Sequence, residues 1–380
     1  MSVSKSYSRL LVTCLTALML TGSILFFSKA NEMPLDTRSV TGREVVWRGV
    51  DPGKVMGARA CSQCHRSEML AWKKMAHHTS HLLLYSESAR DYARAIGIDP
   101  ASVRKADACV RCHATAQATF PNGIVRAVTG VSCESCHGEA GGEAGWLNVH
   151  AVYGPNGTTF ERESVTHRTR RLERGRQAGM IQSGQLYESV MRCLNCHLVR
   201  NEALVNAGHS IGREFEFVGR TSGEIRHNFH EDQFLNAIEP TLWQRRTGGS
   251  IADRRRKKFV VGILTELESS LLAFSRVTDA DDYSESLIWR AKSAWEKLKE
   301  TEQLARSVLP ADLKRLVASL KTIADLGGAS KSDRGLAAAW SMTAGNLARR
   351  YARSSGVELQ GLDPAIQRLA DECGEAFERQ

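Results

Sequence analysis

Four pentapeptides carry the chemistry of this chain: Cys61-Ser-Gln-Cys64-His65, Cys109-Val-Arg-Cys112-His113, Cys133-Glu-Ser-Cys136-His137 and Cys193-Leu-Asn-Cys196-His197. In each, two thiols stand three apart and a histidine follows the second directly. One short turn separates the thiols, so both can form thioethers to the two vinyl groups on one edge of a porphyrin. The next residue then lies under the ring, where its imidazole reaches the iron. Each pentapeptide is a c-type haem attachment site, which predicts four covalently attached haem c groups with His65, His113, His137 and His197 as proximal ligands.

Other uses of paired cysteines fit less well. A disulfide framework has no need of the histidine. Structural zinc would not require it after every pair, and a thioredoxin-like site uses one pair in a βαβ context that is absent. Cys14 lies in the N-terminal apolar run and Cys373 stands alone near the C-terminus.

Twelve histidines occur in all. Beyond the four proximal ones, His77, His78, His81, His150, His167, His209, His227 and His230 compete for the second axial positions, and the outcome decides the chemistry. An iron with two imidazoles is saturated and suited to electron transfer, whereas a vacant side can bind a small molecule. His77 is too close in sequence to His65 to cross to the far face of the same ring, so it serves another haem, with His78 as the alternative and His81 at the surface or in a supporting position. His150 leaves the Gly-rich "GEAGGEAGWLNV", and His209 sits between small residues in "NAGHSIG"; both settings let backbone approach a flat cofactor. In "IRHNFHED" either His227 or His230 is expected at a haem, His230 being preferred. His167, within the Arg-rich "THRTRRLERGR", reads as a surface residue.

These residues need elements to hold them, and the composition favours helix. Ala, Leu, Arg, Lys and Glu dominate the second half, and Pro is scarce. The fold class expected is mainly α: a multihaem cytochrome c module with little regular sheet, then a C-terminal helical bundle. In "HRSEMLAWKKMAHHTSH", Met69, Trp72, Met75 and Ala76 recur at helical spacing, with Trp72 expected to pack on a porphyrin. Later, Val260, Leu264, Leu267, Leu271 and Leu272 do the same, as do residues 288–298, 313–323 and 336–352, with breaks at Pro310, "LGGASKSDRG" and "GLDPAIQ". That predicts a bundle of four or five helices, serving as support or as a docking or dimerisation face. The run Arg254 to Lys258 reads as a solvated face, with an acidic partner or haem propionates as the alternative contact.

Three regions follow: 1–30 a signal peptide or N-terminal membrane anchor, 31–245 the haem domain, and 246–380 the helical domain. The first has two positive charges ahead of an apolar run from Leu10 to Phe27, and a small-x-small site ending at Ala30. Cleavage there is expected, with retention as a single anchor the alternative. The protein is therefore expected to be exported, to the periplasm or tethered to the cytoplasmic membrane. Loss of Lys5, Arg9 and Lys29 would lower the formal charge from +9 to +6. Four ferric haems at about −1 each offset most of that. Nucleic acid is excluded as a partner, since no aromatic-interleaved basic patch occurs and an exported chain rarely meets any. No phosphate-binding loop or serine nucleophile elbow is present.

With these motifs placed, the chain resembles the cytochrome c-554 family of tetrahaem cytochromes over about residues 55 to 235. The likeness rests on "ACSQCHRSEMLAWKKMAHH", on "DACVRCH", and on "TGVSCESCHGEAGG" with a histidine a short way on. The resemblance implies closely packed haem pairs in a mostly helical fold. It implies electron transfer from a redox enzyme of nitrogen metabolism toward a membrane or periplasmic acceptor. It makes His150 the distal ligand of the His65 haem and His77 that of the His197 haem. It leaves the His113 haem open, and gives the His137 haem a ligand from among His209, His227 and His230. "NAGHSIGREFEF" departs from the family, so that His209 could fill the open position, and residues from about 250 have no counterpart. The expected function is an exported tetrahaem electron carrier between redox proteins. The alternatives are a haem enzyme acting on nitric oxide, hydroxylamine or a related nitrogen species at an open haem, and a haem-bearing subunit of a larger complex.

Overall fold

The computed structural model describes residues 50–119, 123–155, 157–182, 184–212, 215–222, 250–304, 309–327 and 329–368. Among them the protein is mainly helical, with one two-stranded sheet. The first half is built from short helices: α1 (Ala58–Cys61), α2 (Arg66–Trp72), α3 (Ala76–Thr79), α4 (Glu87–Ala95) and α5 (Asp107–His113). The hairpin β1 (Thr115–Thr119) and β2 (Ile124–Thr129) follows, antiparallel, with Ala116 opposite Ala127. Then come α6 (Cys133–His137), α7 (Leu147–His150), α8 (Val165–Gln177), α9 (Leu186–His197), α10 (Glu202–Asn206) and α11 (Phe217–Ser222).

The second half has longer helices: α12 (Ile251–Phe274), α13 (Asp282–Leu304), α14 (Ala311–Ser319) and α15 (Lys331–Arg353). Ser250 and Ser330 open α12 and α15 with reciprocal capping boxes to Asp253 and Asp333. Pro310 precedes α14, where its missing N–H costs nothing. Helix α12 is central. Phe259, Val260, Ile263, Leu264, Leu267 and Leu271 are all buried, and α9, α11, α13 and α15 pack around it. Small residues at Ala337, Ala344 and Ala348 of α15 permit close approach to α12.

One hydrophobic core runs from Leu186, Val190, Leu194 and Leu198 of the fourth motif's helix into α12, α13, α14 and α15. The first three motifs lie outside it, and Val110 of the second belongs to a small cluster with Leu84, Ala93, Val103 and Ala114.

Two local expectations change. The helix expected through residues 66–81 breaks after Trp72, because Lys74 and Met75 bond three residues back and Met75 turns extended. Of its apolar set only Met75 is buried. Nor is the basic run a solvated face. Arg254, Arg256 and Lys258 are buried, since a helix packed on all sides has no free stripe. Arg256 forks onto Asp363 at 2.7 and 2.6 Å and also bonds Asp253 at 2.7 Å. Lys257 reaches the Ser354 carbonyl at 3.0 Å, and Lys258 the Thr221 hydroxyl at 3.2 Å.

Candidate haem-binding site

Each pentapeptide forms about one helical turn, which brings residues i, i+3 and i+4 to one side. Helices α5, α6 and α9 end at the motif histidines themselves. In the first motif His65 N donates to the Cys61 carbonyl at 2.9 Å, giving the same turn between α1 and α2. None of the eight motif cysteines is in a disulfide.

The motifs touch in a fixed order. Cys61 and Cys133 lie close enough that each shifts the other, the Cys61 pKa up and the Cys133 pKa down. Cys136 lies beside Cys193 and Cys196. Cys112 Sγ donates to the Asn195 carbonyl at 3.8 Å and Cys196 Sγ to the Arg111 carbonyl at 3.5 Å. Helix packing agrees: α1 meets α6, α6 meets α9, and α9 meets α5. The spatial sequence is first, third, fourth, second.

Histidines from distant segments come together in twos. The ring centroids of His65 and His150 lie 6.0 Å apart with planes at 30°. Those of His77 and His197 lie 5.9 Å apart at 79°, and those of His113 and His209 lie 6.2 Å apart at 81°. A metal held at about 2.0–2.1 Å by one nitrogen of each ring would put the centroids roughly 6–6.5 Å apart. The three separations fit an iron whose remaining four ligands come from a porphyrin. Zinc would instead ask for four protein ligands, and among the described residues no three His, Cys, Asp or Glu side chains form such a group.

The outer ring nitrogens suit the same chemistry. His137 Nδ1 donates to the Ile181 carbonyl at 2.8 Å and His209 Nδ1 to the Ser210 carbonyl at 2.7 Å. His65 Nδ1 donates to the Glu68 carboxylate at 3.1 Å. An acceptor at Nδ1 places the proton there and leaves the lone pair at Nε2. Burial lowers the His150 pKa to about 4, helped by the neighbouring positive charges of His65 and Arg171. Burial, and then His209, likewise lowers that of His113. Both rings are therefore neutral at pH 7, the form that binds metal. His65 shifts up, chiefly through its bond to Glu68.

Backbone contacts fix where these rings stand. Arg171 Nη1 donates to the His150 carbonyl at 2.8 Å while its Nε and Nη2 fork onto Glu163, both at 2.7 Å. Gly130, in the lead-in to the third motif, lies so close to the His77 segment that a Cβ there would sit 2.1 Å from the His77 carbonyl oxygen. The Ser80 hydroxyl lies between the carbonyls of His77 and His113, at 2.8 and 2.9 Å.

Glu134, inside the third pentapeptide, is a site residue that sequence reasoning missed. It is fully buried and accepts from the backbone N–H groups of Met56, Gly57 and Ala140 at 2.9, 2.7 and 2.9 Å. It thereby joins the approach to the first motif, the third motif and the Gly-rich loop. The available signal was its acidic side chain between two cysteines, where the other motifs carry Ser-Gln, Val-Arg and Leu-Asn.

The remaining candidates separate. The His78 ring sits edge-on to Trp72 at 4.5 Å, and Trp72 Nε1 donates to the Val131 carbonyl at 2.8 Å. His167 is partly exposed and bonds Glu163 at 2.8 Å. The proximity of His209 to His113 differs from the vacancy that the resemblance implies there. His227 and His230 lie outside the described residues.

Residues 60–138 match the family model described as cytochrome c554 and c-prime. The match spans the first three pentapeptides and His77; the fourth, with His150 and His209, lies beyond it. No curated protein and no solved structure matches the chain.

Proposed function

We propose that this chain, which matches the cytochrome c554 and c-prime family model over residues 60–138, is an exported tetrahaem electron carrier. In this reading Cys61 and Cys64, Cys109 and Cys112, Cys133 and Cys136, and Cys193 and Cys196 each hold one haem. His65 pairs with His150, His197 with His77 and His113 with His209 as axial ligands, and His230 completes the haem of His137. Haem c passes single electrons by cycling between ferric and ferrous iron. The protein supplies spacing and tuning.

The observation that carries this reading is the triple recurrence of histidine pairs at 5.9–6.2 Å, each joining a motif histidine to one from another segment. The contact order of the motifs lays out a route with the first and second motifs at its ends. Each end would then meet one redox protein, donor or acceptor.

Export rests on the N-terminal signal and on the chemistry of attachment, which in bacteria is completed outside the cytoplasm. Among the described residues no helix is long and apolar enough to cross a membrane; the tether reading rests on the apolar run of residues 1–30. The enzyme reading, with nitric oxide or hydroxylamine at an open iron, asks for a vacant haem face. His209 opposite His113 weighs against it at the haem the resemblance leaves open.

The test is a haem count by pyridine haemochrome on protein from the exported fraction. Four haems per chain are expected, falling to three in Cys193→Ala/Cys196→Ala. Fewer than four in the parent, or an unchanged count in the variant, would contradict the reading.

A further inference from the structure

The fourth motif alone is built into the C-terminal core, and its histidine is gripped from there. Helix α9 ends at His197, so the His197 carbonyl is one of the last in its helix, at the negative end of the helix dipole. Arg290 of α13 is only 2% exposed. Its Nη1 donates to that carbonyl at 2.5 Å, and its Nε donates to Glu266 of α12 at 2.7 Å. Glu266 is 6% exposed. A guanidinium can do both at once because its donors form a rigid planar fork.

A second segment closes on the same point. Gly212 (φ 129°) packs so tightly that a Cβ there would lie 2.1 Å from the His197 carbonyl oxygen and 2.9 Å from Arg290 Nη1. Next to it, Val199 N donates to the Ile211 carbonyl at 2.5 Å. His209 lies just before this segment. The Phe215 ring stands 5.7 Å from that of His197. Arg290 is thus where the backbone of His197 and the backbone leading from His209 converge.

We propose that the buried Arg290–Glu266 pair is a positioning device through which the C-terminal helices hold two histidine pairs in register, His77 with His197 and His113 with His209. The inference rests on the axial-ligand reading above. It assigns the helical half a role in haem placement. A salt bridge buried this deeply is a costly way to stabilise a core that apolar residues could fill, so its worth lies in what the arginine holds. Arg171 and Glu163 provide the same arrangement at the His150 carbonyl within the haem region.

The experiment uses the full-length, haem-loaded protein. The parent is measured first. Haems that are not low-spin and histidine-ligated in the parent would overturn the ligand reading, independently of the variants. The double variant Arg290→Met/Glu266→Met then removes both charges and leaves apolar bulk in their place. Four haems should remain attached, with two of the low-spin electron paramagnetic resonance signals and their midpoint potentials displaced and the His65–His150 haem unchanged. Signals that all stay as in the parent, or that all move together, would overturn the proposal. Arg290→Lys keeps a cation near the carbonyl without the fork, and is the second variant if the first does not accumulate. It should move the same two signals by less; an unchanged or uniformly shifted spectrum contradicts the proposal there too.

Discussion

His113 and His209 face one another with ring centroids 6.2 Å apart. His209 is steadied by its Nδ1 bond to the Ser210 carbonyl, 2.7 Å, and by the edge of Tyr92 at 5.2 Å. If these rings share an iron, His209→Ala should open one haem and only one. The expected result is one high-spin ferric haem and uptake of one carbon monoxide per reduced chain, with four haems still attached. A variant as inert as the parent would show that His209 is not the ligand.

Glu68 gives the first motif a feature that the others lack among their described hydrogen bonds, a carboxylate on the proximal imidazole. Burial alone would raise its pKa, but the bonds from His65 and Ser67 win and hold it lowered. A carboxylate partner makes the imidazole a stronger donor and favours ferric iron. Glu68→Gln should raise the midpoint potential of one haem, by about 59 mV for each tenfold change in the ferric-over-ferrous preference. Spectropotentiometry with the other three potentials unmoved is the expected outcome; a fall, or no change, counts against it.

The Glu163 carboxylate would be pushed up by burial, yet hydrogen bonds from Arg171, His167 and Arg168 hold its pKa at about 2. A lowered folded-state pKa adds stability above the unfolded value, about 4.3 for a free Glu. That stability is lost as pH falls toward 2. Denaturant melts should be flat in this contribution above pH 5 and lose about 3 kcal/mol between roughly pH 4.5 and 2. Glu163→Gln should be destabilised at pH 7 and lack that part of the acid slope. An identical slope in parent and variant would refute the assignment.

Two glycines should answer alanine in opposite ways. At Gly130 the new methyl would meet the His77 carbonyl 2.1 Å away, so Gly130→Ala should cost roughly 1–3 kcal/mol and disturb the His77 haem. At Gly335, inside α15, nothing lies within 4 Å of the added atom. Gly335→Ala should stabilise the helix by about 0.5–1 kcal/mol. Thermal melts of the two variants check both signs.

The four pentapeptides stand out in the sequence because thioether formation would demand a fixed local spacing, which they repeat, and each folds as about one helical turn. Helical content was legible from the spacing of Val260, Leu264, Leu267 and Leu271, all of them buried. Long-range pairing came only through the resemblance, which implied His150 for the His65 haem and His77 for the His197 haem. Nothing local to His113 points to His209, whose approach depends on Gly212 closing against His197. The burial of Arg254, Arg256 and Lys258 was equally hidden, because a basic run reads as solvent-facing until the helix carrying it is enclosed on every side. Glu134 escaped notice because a carboxylate held by three backbone N–H groups leaves no spacing pattern.

The central claim, that the irons are saturated by pairs of histidines and therefore carry electrons, is tested most directly on the unmodified protein. An electron paramagnetic resonance spectrum of the fully oxidised form would be recorded alongside the optical charge-transfer band, and nitric oxide then added to the reduced form. Four low-spin haems that take up no nitric oxide are predicted. A high-spin haem that binds nitric oxide would contradict the account and restore a catalytic site.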